Sequence, residues 1–129
     1  MENRETVLSV RDLNLWFDGD FASPQILNGV SFDIYKGETL GIAGESGCGK
    51  SVTSLSVLRL LKSPPARIQG TIEFQGQNLL ELSMKQMQRI RGNKIAMIFQ
   101  EPMTSLNPLF KVGHQLEEVL RHLRIRKKH

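Results

Sequence analysis

Apolar and polar positions change period several times along the chain, and each change marks an element. Residues 7–17 are rich in strand-forming types and are expected to pair with a second strand at Val30-Ser31-Phe32-Asp33-Ile34, where Val30, Phe32 and Ile34 alternate with polar neighbours. Asp18-Gly19-Asp20 and Ser23-Pro24 lie between them and read as loop. Tyr35-Lys36-Gly37-Glu38 is a turn signal. It leads into Thr39-Leu40-Gly41-Ile42-Ala43, an apolar run suited to a strand buried on both faces. A glycine-rich turn follows, then a helix over about residues 50–61. Ser63-Pro64-Pro65 stops that helix, because proline has no amide hydrogen to continue the ladder.

Alternation returns at Ile68-Gln69-Gly70-Thr71-Ile72-Glu73-Phe74, a further strand. Ser83 with Gln86 has capping-box spacing and predicts a short helix that Gly92 ends. Met84, Met87 and Ile90 recur there at helical spacing and read as core filler. Ile95-Ala96-Met97-Ile98-Phe99 is a second run fit for a buried strand. Val112, Leu116, Val119, Leu120 and Leu123 share one face of a last helix. Strands and helices interleave, so the expected class is α/β with an antiparallel β portion at the start.

Length and charge narrow the reading. The 129 residues suffice for one modest domain, and no run approaches the roughly 18 apolar residues of a membrane span. Met1-Glu2-Asn3-Arg4-Glu5 carries two acids where a signal peptide has net positive charge. The single cysteine, Cys48, forms no internal disulfide and suits a reducing compartment. A cytosolic protein is the expectation. The net charge of +4 suggests nucleic acid at first sight, but Arg121, Arg124, Arg126, Lys127 and Lys128 supply +5 within the last nine residues. The rest of the chain is nearly neutral, so the tail reads as the solvated face of a helix and no nucleic-acid partner is expected.

The chemistry is concentrated in Gly44-Glu45-Ser46-Gly47-Cys48-Gly49-Lys50-Ser51, which fits G-x-x-x-x-G-K-[ST] at every required position. A triphosphate needs many donors on a concave surface. Glycines let the backbone turn its N–H groups inward as an anion nest, and the following helix adds its own unpaired amides and the positive end of its dipole. Lys50 is expected to reach the β- and γ-phosphates. Ser51 is expected to place its hydroxyl on Mg²⁺, a hard cation that prefers oxygen. Cys48 fills a variable position and reads as a bystander.

This octapeptide resembles the Walker A of ABC ATPases. Ile98-Phe99-Gln100-Glu101-Pro102-Met103-Thr104-Ser105-Leu106-Asn107-Pro108 resembles the Q-loop of their peptide/nickel importer family, which includes the oligopeptide, dipeptide and nickel permeases. Residues 37–52, through Val52, and Ile90-Arg91-Gly92 are similar too. The resemblance implies a P-loop NTPase with a RecA-like core and an N-terminal antiparallel β subdomain, binding ATP with Mg²⁺ through residues 44–52. It implies that Gln100 ligates Mg²⁺ and senses the γ-phosphate. It also implies that residues 101–110 face the membrane-embedded permease subunits, and that a second ATP-binding subunit pairs head to tail. Location on the cytoplasmic face of the inner membrane follows, and transport of oligopeptides or dipeptides is the expected task. Phe17 lies where the family keeps an aromatic that stacks on adenine; Trp16 beside it is the alternative, and either ring can instead be core.

The family hydrolyses ATP with a Walker B strand, a signature loop of the Leu-Ser-Gly-Gly-Gln type and a switch histidine. Beyond Gln100 the acids are Glu101, Glu117 and Glu118, none in a Walker B pattern, and His114, His122 and His129 have no switch-like surroundings. The expectation is therefore a partial ATP-binding core over 1–111 and the start of a helical subdomain over 112–129. It is truncated before the signature loop and Walker B, binds nucleotide without turnover, and leaves strand edges and apolar faces open. A different P-loop enzyme, such as a GTPase or small-molecule kinase, is the first alternative, although no guanine-reading Asn-Lys-x-Asp element is present. A non-enzymatic segment docking through residues 101–110 is the second.

Overall fold

The structure is a computed structural model, and it describes residues 4–44, 49–100 and 106–127. The chain divides into two compact units, Met1–Ile95 and Ala96–His129.

The first unit is built on strand β1, Thr6–Phe17, which lies between β2, Gln25–Tyr35, and β3, Ala66–Phe74; a two-residue strand β4, Gln77–Asn78, completes an antiparallel sheet in the order β2-β1-β3-β4. The expected pairing is present, with Leu8 opposite Ile34, Val10 opposite Phe32 and Leu13 opposite Val30. Val10, Leu13 and Leu15 are all fully buried, although residues 10 and 13 cannot share a face in an unbroken period of two. The phase change sits at Asp12, whose φ is 49°, and both ladders of β1 shift register beside it. Opposite, Gly70 takes φ 122°; a β-carbon there would lie 2.5 Å from Asp12 O, so only glycine allows the approach. The bulge lets both halves of one long strand face the same core.

Helix α1, Lys50–Val57, packs Val57 into that core, and Val52 packs against it. The helix is shorter than its prolines suggest. Arg59 has φ 52°, Arg59 N donates to Ser56 O at 3.0 Å, and Leu60 N donates to Leu55 O at 2.9 Å. This is the Schellman pattern, closed by an arginine where glycine is usual. A single 3₁₀ turn, Leu79–Glu81, and helix α2, Met84–Ile90, follow the sheet. The capping box is formed as read: Ser83 Oγ accepts from Gln86 N at 3.1 Å, and Gln86 Oε1 accepts from Ser83 N at 2.9 Å. Met87 and Ile90 are buried, whereas Met84 is half exposed, so only part of that trio fills the core.

Two expectations fail. Residues 39–43 form no strand, and neither do 96–99; Ile42 is 48% exposed and Ile98 94%. An apolar run becomes a doubly buried strand only when neighbouring strands and covering helices supply both ladders and both faces. Among the described residues, the only bridge made by either run is the parallel one between Ile95 and Arg91. Of the α/β expectation the described residues show the antiparallel sheet and a few helices, and not the buried strands expected beside the helices. In the second unit, helix α3, Val112–Lys127, forms where the heptad-like spacing put it. Val112, Leu116, Val119 and Leu120 are exposed on it. Gln115 ties this helix to the turn before it, accepting from Asn107 N at 2.9 Å and donating to Asn107 O at 2.9 Å. No described helix is long and apolar enough to cross a membrane.

On the sheet, Asp33 Oδ2 accepts from Arg11 Nη2 at 2.6 Å, and that guanidinium holds the Asp33 carboxyl below its ordinary range. A lowered folded pKa means stability that is whole above the unfolded carboxylate value, near pH 4, and lost as pH falls through the folded value. Asp33→Asn is expected to be less stable than the parent chain at neutral pH, with the gap closing on acidification below about pH 4; urea titrations at stepped pH measure it. The burial contrast gives a second expectation. Leu15→Ala costs about 3 kcal/mol and Ile98→Ala less than about 0.5 kcal/mol in the same urea assay.

Candidate phosphate-binding site

The site begins where β2 meets α1. Gly49 is the N-cap of α1 and takes φ 100°, a left-handed conformation that side chains resist. A β-carbon there would lie 2.6 Å from Leu27 Cδ2, so any side chain would have to turn Leu27 of β2 aside. No side chain caps α1 and no acid occupies its first turn. Among the described residues its leading amides therefore have no side-chain acceptor, and no acid of the helix itself neutralises the positive end of its dipole. Buried hydroxyls reinforce the first turns: Thr53 Oγ1 donates to Gly49 O at 2.7 Å and Ser56 Oγ to Val52 O at 2.6 Å.

Lys50 Nζ donates to Gly44 O, so its ammonium reaches back to the opposite end of the octapeptide. Ser51 is exposed in the first turn. Glu45, Ser46, Gly47 and Cys48 lie outside the described residues, as do residues 101–105. Gly44, Gly49, Lys50, Ser51 and Val52 fall together within the first unit. Gln100 belongs to the second, and it is exposed at the end of an irregular segment rather than of a buried strand. Among the described residues no cluster of three or more His, Cys, Asp or Glu is grouped for a metal ion. A cation held by a serine hydroxyl and phosphate oxygens has no need of such a cluster.

The two aromatic candidates part company. Phe17 packs against the core cluster that also receives Val52 and Val57 of α1. Trp16, its neighbour on an extended strand, carries the Arg67 guanidinium 4.3 Å from its ring centroid. Arg67 is in turn fixed by Asp18, with Nε 3.1 Å from Oδ2 and Nη2 3.3 Å from Oδ1, and it holds that carboxyl below its ordinary range. Sequence reasoning missed two participants, Leu27 under Gly49 and the arginine that closes α1. Leu27 lies before the strand expected over residues 30–34, which begins at Gln25 in the structure, and a left-handed arginine carries no sequence signal.

A G-x-x-x-x-G-K-S octapeptide whose lysine and serine open helix α1 is the pattern of a P-loop nucleotide-binding protein. The profile of the ABC transporter family matches residues 27–129, and the chain belongs to that family. It is 54% identical over 117 residues to a probable peptide ABC transporter ATP-binding protein of Sinorhizobium fredii, covering 90% of this chain and 35% of that one. It is 52% identical over 126 residues to the dipeptide transport ATP-binding protein DppD of Bacillus subtilis, covering 96% and 38%. With the oligopeptide transport ATP-binding protein OppD of the same species the identity is 50% over 123 residues, covering 94% and 34%. The chain thus spans little more than a third of the length of these relatives.

The contact at Gly49 can be tested without nucleotide. Gly49→Ala is expected to destabilise the chain by about 2–4 kcal/mol through left-handed strain and overpacking. In a Leu27→Val background, which removes the clashing methyl, the cost falls to the strain alone, about 1–2 kcal/mol. A double-mutant cycle in urea reads the difference.

Proposed function

We propose that the chain provides the nucleotide-binding part of the energy-coupling subunit of an ABC importer for oligopeptides or dipeptides. The observation that carries this is the α1 N-terminus, capped by Gly49 with no side-chain acceptor among the described residues, with Lys50 Nζ donating back to Gly44 O. Gly44 to Val52 hold the phosphates of ATP through main-chain amides and the Lys50 ammonium. Ser51 and Gln100 supply oxygen ligands to Mg²⁺, which screens phosphate charge when bound. Phe17 stacks on adenine; the alternative, Trp16, already carries the Arg67 guanidinium over its ring. The names of the relatives support the peptide class.

In this reading the first 111 residues are a portion of a RecA-like core with its antiparallel β subdomain, and 112–129 begin the helical subdomain. Residues 101–110 dock on the membrane-spanning permease subunits at the cytoplasmic face of the inner membrane. Leu106, Leu109 and Phe110, all exposed, supply an apolar surface for that contact. A second ATP-binding subunit pairs head to tail with the first.

Titration calorimetry of the folded chain with magnesium ATP is expected to show binding. Lys50→Ala weakens it at least about tenfold, the scale of a lost hydrogen bond to a charged group. Phe17→Leu, which keeps apolar volume and removes the ring, weakens it about fivefold or more, and Trp16→Leu leaves it nearly unchanged. Absence of heat from a sample with native circular dichroism would refute the proposal.

A further inference from the structure

Helix α1 ends under a clamp that the nucleotide chemistry above does not use. Arg91, directly after α2, donates from Nε to Leu58 O at 2.8 Å and from Nη2 to Arg59 O at 2.7 Å. These are the carbonyls of the turn that closes α1, and Arg59 is the non-glycine residue held there at φ 52°. Arg59 reaches the other way, donating from Nη1 to Leu79 O at 3.3 Å and to Leu82 O. Two arginines thus lace the end of α1 to the 3₁₀ turn before α2 and to the residue after it. No basic residue lies in the last turn of α1 itself, so the charge facing its negative end comes from outside the helix.

We propose that Arg91 is a positioning residue of the nucleotide site, setting the direction in which α1 presents its N-terminal amides. The consequence for nucleotide rests on the reading above, whereas the clamp itself does not. Eight residues make a rod about 12 Å long, so a tilt of about 10° at one end moves the other by about 2 Å. Hydrogen bonds to phosphate do not survive displacement on that scale. A guanidinium suits the task because its planar fork makes two bonds in a fixed orientation, whereas an ammonium is a point charge on a flexible stem. The strained turn at Arg59 persists because its surroundings determine it from both sides.

The test compares the 129-residue chain with Arg91→Met, which keeps the apolar stem, and Arg91→Lys, which keeps the charge. Amide hydrogen exchange and magnesium ATP affinity are measured on each. Arg91→Met is expected to speed exchange across residues 53–60 about tenfold or more, while amides of β1 and β3 keep their rates. Its ATP affinity falls about three- to tenfold, the range of a coupling through positioning rather than contact. Arg91→Lys restores less than half of either loss on a logarithmic scale. Unchanged exchange in α1, or a uniform rise over helix and sheet alike, would overturn the proposal, as would full rescue by lysine. If the parent chain binds no nucleotide, the nucleotide reading falls and positioning with it, while selective loosening of α1 still establishes the clamp. If nucleotide binds and Arg91→Met loosens α1 without altering affinity, the positioning role alone is overturned.

Discussion

Any side chain at Gly49 would have to turn Leu27 aside, and the position of the helix proposed to hold phosphate follows from how closely the two approach. With glycine at the junction, the chain leaves the loop in a left-handed conformation and enters α1 with its first amides directed outward. Because Leu27 is paired to Leu15, the helix start inherits its place from the register of β1 and β2. That register depends in turn on the bulge at Asp12 and Gly70, without which Leu15 and Val10 would face opposite sides of the sheet. A one-residue phase change in a strand thus fixes where the helix of the proposed phosphate site begins. Backbone geometry, more than any side chain, defines the site.

The parts legible in the sequence are those decided by neighbours a few residues away. Val30, Phe32 and Ile34 alternate, and their strand pairs as expected; Ser83 and Gln86 have capping-box spacing, and both hydrogen bonds form. The bulge was legible in principle, because the buried set passes from Leu8 and Val10 to Leu13 and Leu15. The end of α1 was not. Its closing turn uses Arg59, whose left-handed conformation is enforced by tertiary hydrogen bonds rather than by its own preference.

Residues 39–43 and 95–99 fail for a different reason. Apolar composition states that a segment gains by burial; it cannot supply the strands and helices that bury it. The same division runs through the site. The octapeptide from Gly44 to Ser51 is contiguous, so its spacing alone identifies it, although β2 decides where the helix it opens begins. Gln100 has a role only relative to groups on other elements, and its motif names the partner chemistry without placing it.

The helix start and the lysine act as a pair, which explains why a phosphate site can be stable before it binds anything. Amides in the first turn of a helix cannot reach an acceptor within the helix, and among the described residues no side chain offers one. Ser51 in that turn is exposed, so water reaches these donors at little cost. Lys50 has three donors and spends one on Gly44 O, a bond that ties the ends of the loop together. Its other two donors have no bond among the described residues, and in the proposed site a polyphosphate takes them without first breaking the tie. Binding then replaces water on donors already aimed, with little new ordering of the chain. An acid at Ser51 or Val52 would remove this readiness by neutralising the helix end and competing for the ammonium, so the absence of acids from the first turn belongs to the site as much as the glycines do.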